Sequence, residues 1–183
     1  LQALLFGSLV SMSDDLPLPK GPSLFRQGLW LAAIVFLLDQ ASKIWVIDGI
    51  DLEAKGNIDV LPFFSLTWVL NRGVSMGMFQ ASSDVMRWGL VGVTLIIAVM
   101  VVIWLRSSKT RIGMIALALV LGGAIGNILD RVRFGGVVDF IRLHAFDYSF
   151  YVFNVADSAI TIGVGLLLIE AFLSPSEQTK TKS

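Results

Sequence analysis

The sequence predicts an all-α integral membrane protein with four transmembrane helices, both termini cytoplasmic, and small β-strand elements in the outward-facing loops. Three observations predict it. Of 183 residues, 55% are hydrophobic and only 15% charged, where a water-soluble domain carries about 25% charge; mean hydropathy is +0.78. Four apolar stretches are long enough to span a bilayer. The cations cluster on connections that would share one side of the membrane. The 14 basic and 14 acidic residues balance, which excludes a nucleic-acid binder with its surplus of Lys and Arg. So apolar a chain is not disordered. Without cysteine, disulfides, thiolate-held metal and a thiol nucleophile are excluded.

The first span covers residues 28–47 and is interrupted by Asp39, Gln40 and Lys43. The second, 88–105, has no charge; the third is 112–129 and the fourth 156–173. At 1.5 Å per residue, 18 residues reach about 27 Å, close to the hydrocarbon thickness. The loop between spans two and three holds Arg106, Lys109 and Arg111, and the chain ends add Lys20, Arg26, Lys180 and Lys182. The other two loops mix Lys55, Arg72, Arg87, Arg131, Arg133 and Arg142 with acids. Cations favour the cytoplasmic side, so both termini are expected there. Residues 1–24, with Pro17, Pro19 and Pro22, read as a flexible tail and 174–183 as a disordered one. Between them, 25–173 forms a single four-helix membrane domain with outer loops 48–87 and 130–155.

Those outer loops are rich in β-branched and aromatic residues at 61–69, 137–143 and 148–153, the composition of short strands. Seven of the twenty residues from 134 to 153 are Phe or Tyr, which suits an aromatic belt at the headgroups.

An ionisable residue within a span is costly and so marks function by default. The topology carries Asp39 and Lys43, then Asn127, Asp130 and Arg131, then Asn154 and Asp157 to one membrane level, with Asp139 tethered close by. Asp39 and Lys43 stand at i,i+4 in the favourable order, which a purely local ion pair also explains. Asn127 and Arg131 share the same spacing, and Arg131 at a helix end also suits snorkelling to headgroups. Gly122 and Gly126 make a small-xxx-small packing surface. Asn154-Val-Ala-Asp157 is a capping-box pattern. Asn71-Arg-Gly73-Val-Ser75-Met-Gly77 is rich in turn residues. His144, the one histidine, reads as polar loop surface, which leaves a hydrolytic metal short of ligands; no metal or cofactor is expected. Glu170 reads as interfacial. Two carboxylates, Asp139 and Asp157, fit the inventory best. A Ser–Lys peptidase built from Lys43 with Ser42, Ser75 or Ser158 stays open, as does a transporter or lipid-binding protein with a proton relay through Asp39, Asp139 and Asp157.

Taken together, Asp39-Gln-Ala-Ser-Lys43, Asn71-Arg-Gly73-Val-Ser75, Gly122-Gly-Ala-Ile-Gly-Asn127-Ile-Leu-Asp130-Arg131, Gly136-Val-Val-Asp139-Phe140 and Phe153-Asn154-Val-Ala-Asp157-Ser158 closely resemble the lipoprotein signal peptidases (signal peptidase II). They occur in that family's order and cover roughly residues 30 to 165. Met76 departs from the aromatic residue common in the family. The resemblance implies an aspartic endopeptidase of the bacterial cytoplasmic (inner) membrane, with its active site near the outer, periplasmic face. Such enzymes cut diacylglyceryl-modified prolipoproteins before the lipidated cysteine, their partners are these substrates and membrane lipids, and globomycin inhibits them. It further implies that Asp139 and Asp157 are catalytic and that Asn71, Gly73, Asn127, Asp130, Arg131 and Asn154 support them or hold substrate, with Asp39 and Lys43 bracing the site. Because a helix start favours negative charge, Asp157 is expected to be the ionised base and Asp139 the proton donor.

Overall fold

The computed structural model describes residues 23–73, 84–145 and 148–173. Most of both expected tails, together with Ser75, Met76 and Gly77, lies outside them. The N-terminal boundary at 24 falls inside a helix: Ser23 is the N-cap of α1 (Leu24–Ile44), its hydroxyl accepting the Arg26 N–H. A wider π-helical turn, Trp45–Gly49, continues α1 and leads to the single-turn α2 (Leu52–Lys55). Then come β1 (Asn57–Leu61), β2 (Phe64–Asn71), α3 (Asp84–Ser107), α4 (Arg111–Phe134), β3 (Val137–Ala145), β4 (Tyr148–Phe153) and α5 (Val155–Leu173). Four helical stretches, Leu24–Gly49, α3, α4 and α5, are long and apolar enough to cross a membrane, as the hydropathy predicts.

Their ends differ from the hydropathy limits for a physical reason. A span is bounded in sequence by its first charge, but a helix ends where its backbone is capped. Thr110 caps α4 by accepting the Gly113 N–H at 3.0 Å, and Gly135, at φ 75°, closes the far end by donating to the Arg131 carbonyl. The helix therefore runs past 130, where an outer loop was expected, and holds Asp130 and Arg131 within its last turns.

α4 is the central helix, packed against α1, α3 and α5. Glycine permits that approach from two directions. A Cβ at Gly122 would lie 2.5 Å from the Ala32 carbonyl oxygen of α1, and one at Gly123 would lie 2.5 Å from the Ala156 carbonyl oxygen of α5. The apolar core between the helices is built on Ala32, Ala98, Leu105, Leu117 and Leu121.

The strands form one antiparallel sheet in the order β1-β2-β3-β4, joining segments from both inter-helix loops. The strand expected over 61–69 is divided, because Pro62 and Phe63 form the turn of the β1–β2 hairpin and the strands lie on either side. Leu66, Val138 and Phe140 from the sheet pack on Val46 and Leu52, which seats the sheet on the end of α1. β3 follows α4 and β4 leads directly into α5. The sheet is therefore fixed to the same end of the bundle as the last turns of α1 and α4 and the first turn of α5.

Candidate active site

At that end, three helix termini bring charge into the protein interior. Asp39, Lys43 and Asp130 are each at most 1% exposed. The Lys43 ammonium lies 2.8 Å from Asp39 Oδ2 and 2.7 Å from Asp130 Oδ2. One cation between two carboxylates leaves a negative excess, and neutral donors compensate it. Gln40 Nε2 donates to Asp39 Oδ2 at 3.0 Å and to Asp130 Oδ1 at 3.2 Å. The Ala156 N–H donates to Asp39 Oδ1 and the Val138 N–H to Asp130 Oδ2. These bonds tie α1 to the start of α5 and α4 to β3. Gly126 faces Asp39 so closely that a Cβ there would overlap the carboxylate.

Lys43 Nζ also donates to Asn127 Oδ1 at 3.3 Å, and Asn154 Nδ2 donates to the same oxygen at 3.3 Å. With its oxygen so held, the Asn127 amide turns its Nδ2 to Asp157, donating to Oδ1 at 2.8 Å. Asn154 is the N-cap of α5: its Oδ1 accepts the Asp157 N–H at 2.9 Å, while Asp157 Oδ2 accepts the Asn154 N–H at 3.3 Å. This is the reciprocal capping box expected from the spacing. Asn154 Nδ2 further donates to Asp139 Oδ1 at 2.6 Å. Asn71 Nδ2 reaches Asp139 Oδ2 at 3.0 Å, and the Gly73 N–H fixes Asn71 by donating to its Oδ1 at 2.9 Å.

Asp139 is 1% exposed. Burial pushes its carboxyl up to about 6, with the negative charge of Asp157 adding to the effect; the amides of Asn71 and Asn154 and the charge of Lys43 pull the other way and do not prevail. Arg131 joins the group from the last turns of α4. Its Nη1 donates to the Asn127 carbonyl, its charge acts on Asp157, Asp130 and Asp139, and its buried Nε has no acceptor among the described residues.

All ten residues singled out from sequence therefore belong to one connected network. His144 is not plain loop surface: it is half-buried, with Nε2 2.8 Å from Ser65 Oγ. Two contributors went unrecognised. Gln40 was visible only as a polar interruption in an apolar helix, although its place between Asp39 and Lys43 was a signal. Arg87, at the start of α3, donates to the carbonyls of Arg131 and Val132, and nothing in its sequence context marks it. Lys43, the base that the serine alternative needs, is held between two carboxylates. Ser42 and Ser158 donate to carbonyls of their own helices, Asp39 and Asn154 respectively.

Comparison with known proteins places the chain among related sequences and structures. The family model for signal peptidase (SPase) II matches residues 31–173. The lipoprotein signal peptidase of Sphingopyxis alaskensis is 52% identical over 149 residues, spanning 81% of this chain and 86% of its own. That of Rhizorhabdus wittichii is 51% identical over 147 residues, spanning 80% and 86%. A bacterial membrane enzyme solved by the in meso method at 1.9 Å resolution superposes with a TM-score of 0.69 at 29% identity, covering 81% of this chain and 94% of that one.

Proposed function

The chain belongs to the signal peptidase II family, and on that footing we propose that its cleavage of lipoprotein signal peptides is performed by Asp139 and Asp157 acting on water. It is a multi-pass bacterial membrane peptidase whose substrates are prolipoproteins. The observation that carries the aspartic reading is the amide pair Asn127–Asn154, which connects the two carboxylates through donors at 2.8 Å to Asp157 and 2.6 Å to Asp139.

Two carboxylates in one desolvated site do not both ionise cheaply, so they share a proton. Burial keeps that proton on Asp139, which leaves Asp157, held by the Asn127 amide, to act as the base. Ionised Asp157 takes a proton from water as the water attacks the scissile carbonyl. Protonated Asp139 donates its O–H to the carbonyl oxygen and stabilises the negative charge that develops there. A proton then passes to the leaving amine, and no covalent intermediate forms. Arg131, with its spare donor, helps to hold the substrate backbone.

The distribution of cations supports cytoplasmic termini and an inner-membrane location. The site then lies at the periplasmic headgroup level, where water reaches the dyad while the diacylglyceryl chains of the substrate stay in lipid. Globomycin is expected to block it. The deciding experiment is cleavage of a diacylglyceryl prolipoprotein by purified wild-type, Asp139→Asn and Asp157→Asn proteins. Each variant should lose on the order of a hundredfold or more. Full activity in either overturns the mechanism.

A further inference from the structure

Away from the site, α3 and α4 leave between them a groove of about 440 Å³, lined by Leu95, Val99, Ile103, Leu121 and Ile125, with Arg106 at one end. We propose that this groove binds one acyl chain of an anionic phospholipid whose phosphate pairs with Arg106.

Length, volume and charge each support that occupant. Leu95 and Arg106 are eleven positions apart on α3, which is about 16 Å of helix and matches one leaflet, half of a hydrocarbon core about 30 Å thick. A substrate helix about 10 Å across would fill on the order of 1,200 Å³ over that distance, far more than the groove offers. The apolar walls end at an exposed guanidinium that lies 5.3 Å from the centroid of the Phe25 ring and has no carboxylate partner among the described residues. Phe25 thus orients the cation without neutralising it. A basic pocket between transmembrane helices selects an anionic headgroup over a zwitterionic one, and arginine matches phosphate with two parallel donors. The proposal rests on the helices alone and stands apart from the chemistry of the aspartates.

The test titrates the purified chain in detergent with phosphatidylglycerol or phosphatidylcholine and follows the Tm. Phosphatidylglycerol should raise the Tm saturably, with a half-saturating concentration at least fivefold below that of phosphatidylcholine. Arg106→Gln should weaken the phosphatidylglycerol curve at least fivefold. Val99→Trp, or Ile103→Trp if the first does not fold, fills the groove and should remove the saturable part. Lys109→Gln, which lines a different cavity, should stay within twofold of wild type. Equal curves for the two lipids overturn the proposal, as does an unchanged phosphatidylglycerol curve in Arg106→Gln or in the tryptophan variant. A loss in Lys109→Gln as large as in Arg106→Gln also overturns it, because diffuse surface charge would then account for binding.

Discussion

Asn154 donates its side-chain N–H to Asp139 at 2.6 Å while its side-chain oxygen caps α5 by accepting the Asp157 N–H. One amide thus both caps a helix and bonds a carboxylate, and substitution separates the two. Serine keeps an N-cap oxygen but has no amide donor, so Asn154→Ser should lose at least tenfold in kcat with little change in stability. Alanine removes the cap as well and should cost about 1 kcal/mol more. Steady-state kinetics beside thermal denaturation of both variants reads the separation; equal kinetics in Asn154→Ser and wild type would show that the bond to Asp139 has no role in catalysis.

Gly73 fixes Asn71, and Asn71 fixes Asp139. Its φ of 100° is in the left-handed region, and a Cβ there would overlap Leu90 of α3. Gly73→Ala should therefore cost about 1–3 kcal/mol in backbone strain and displace the Asn71 donor, with kcat falling more than KM rises. The double variant Gly73→Ala/Leu90→Ala relieves the overlap and leaves the strained φ, so only part of the activity should return. Complete recovery would show that φ at this position is of no consequence.

Lys43 is the cation between two buried carboxylates, which makes its removal worse than the removal of a partner. Lys43→Met leaves Asp39 and Asp130 without a counter-charge and should cost roughly 3–5 kcal/mol. Adding Asp39→Asn takes away one of the stranded charges, so the double variant should be more stable than Lys43→Met alone. Denaturation of the three proteins in the same detergent checks the order, and additive losses would exclude the coupling.

Why so much of this network could be read from sequence is a matter of contrast. Asp39, Lys43, Asn127 and Asp130 stand out because a span of otherwise apolar residues admits a charge or amide only with compensation. Gln40 supplies part of that compensation, yet between two charged neighbours its amide is masked by their stronger contrast. β1 was not anticipated because Asn57-Ile-Asp-Val-Leu61 is short and polar at two of its first three positions, and it becomes a strand only by pairing with β2. The pairing of Val69 with Asp139 and of Asn71 with Val137, which brings Asn71 up to the carboxylate, depends on a register that no local pattern encodes.

With Asp139 as the proposed acid, its raised carboxyl should set the alkaline limit of the reaction. If Asp139 acts in its protonated form, that form is complete well below about 6 and is lost as pH rises through that value. kcat/KM reports the free enzyme and should fall about tenfold per pH unit above the limit. Bound substrate excludes more water from the pair, which raises the carboxyl further, so the corresponding limb of kcat should lie at higher pH. Asn71 provides a test of sign. Its amide favours the charged form of Asp139, so Asn71→Ala should shift the alkaline limb of kcat/KM upward even as the maximal rate falls through lost positioning. Rates of lipopeptide cleavage from pH 4.5 to 8 would show it; a limb that moved to lower pH in Asn71→Ala would mean that Asp139 does not act as the acid.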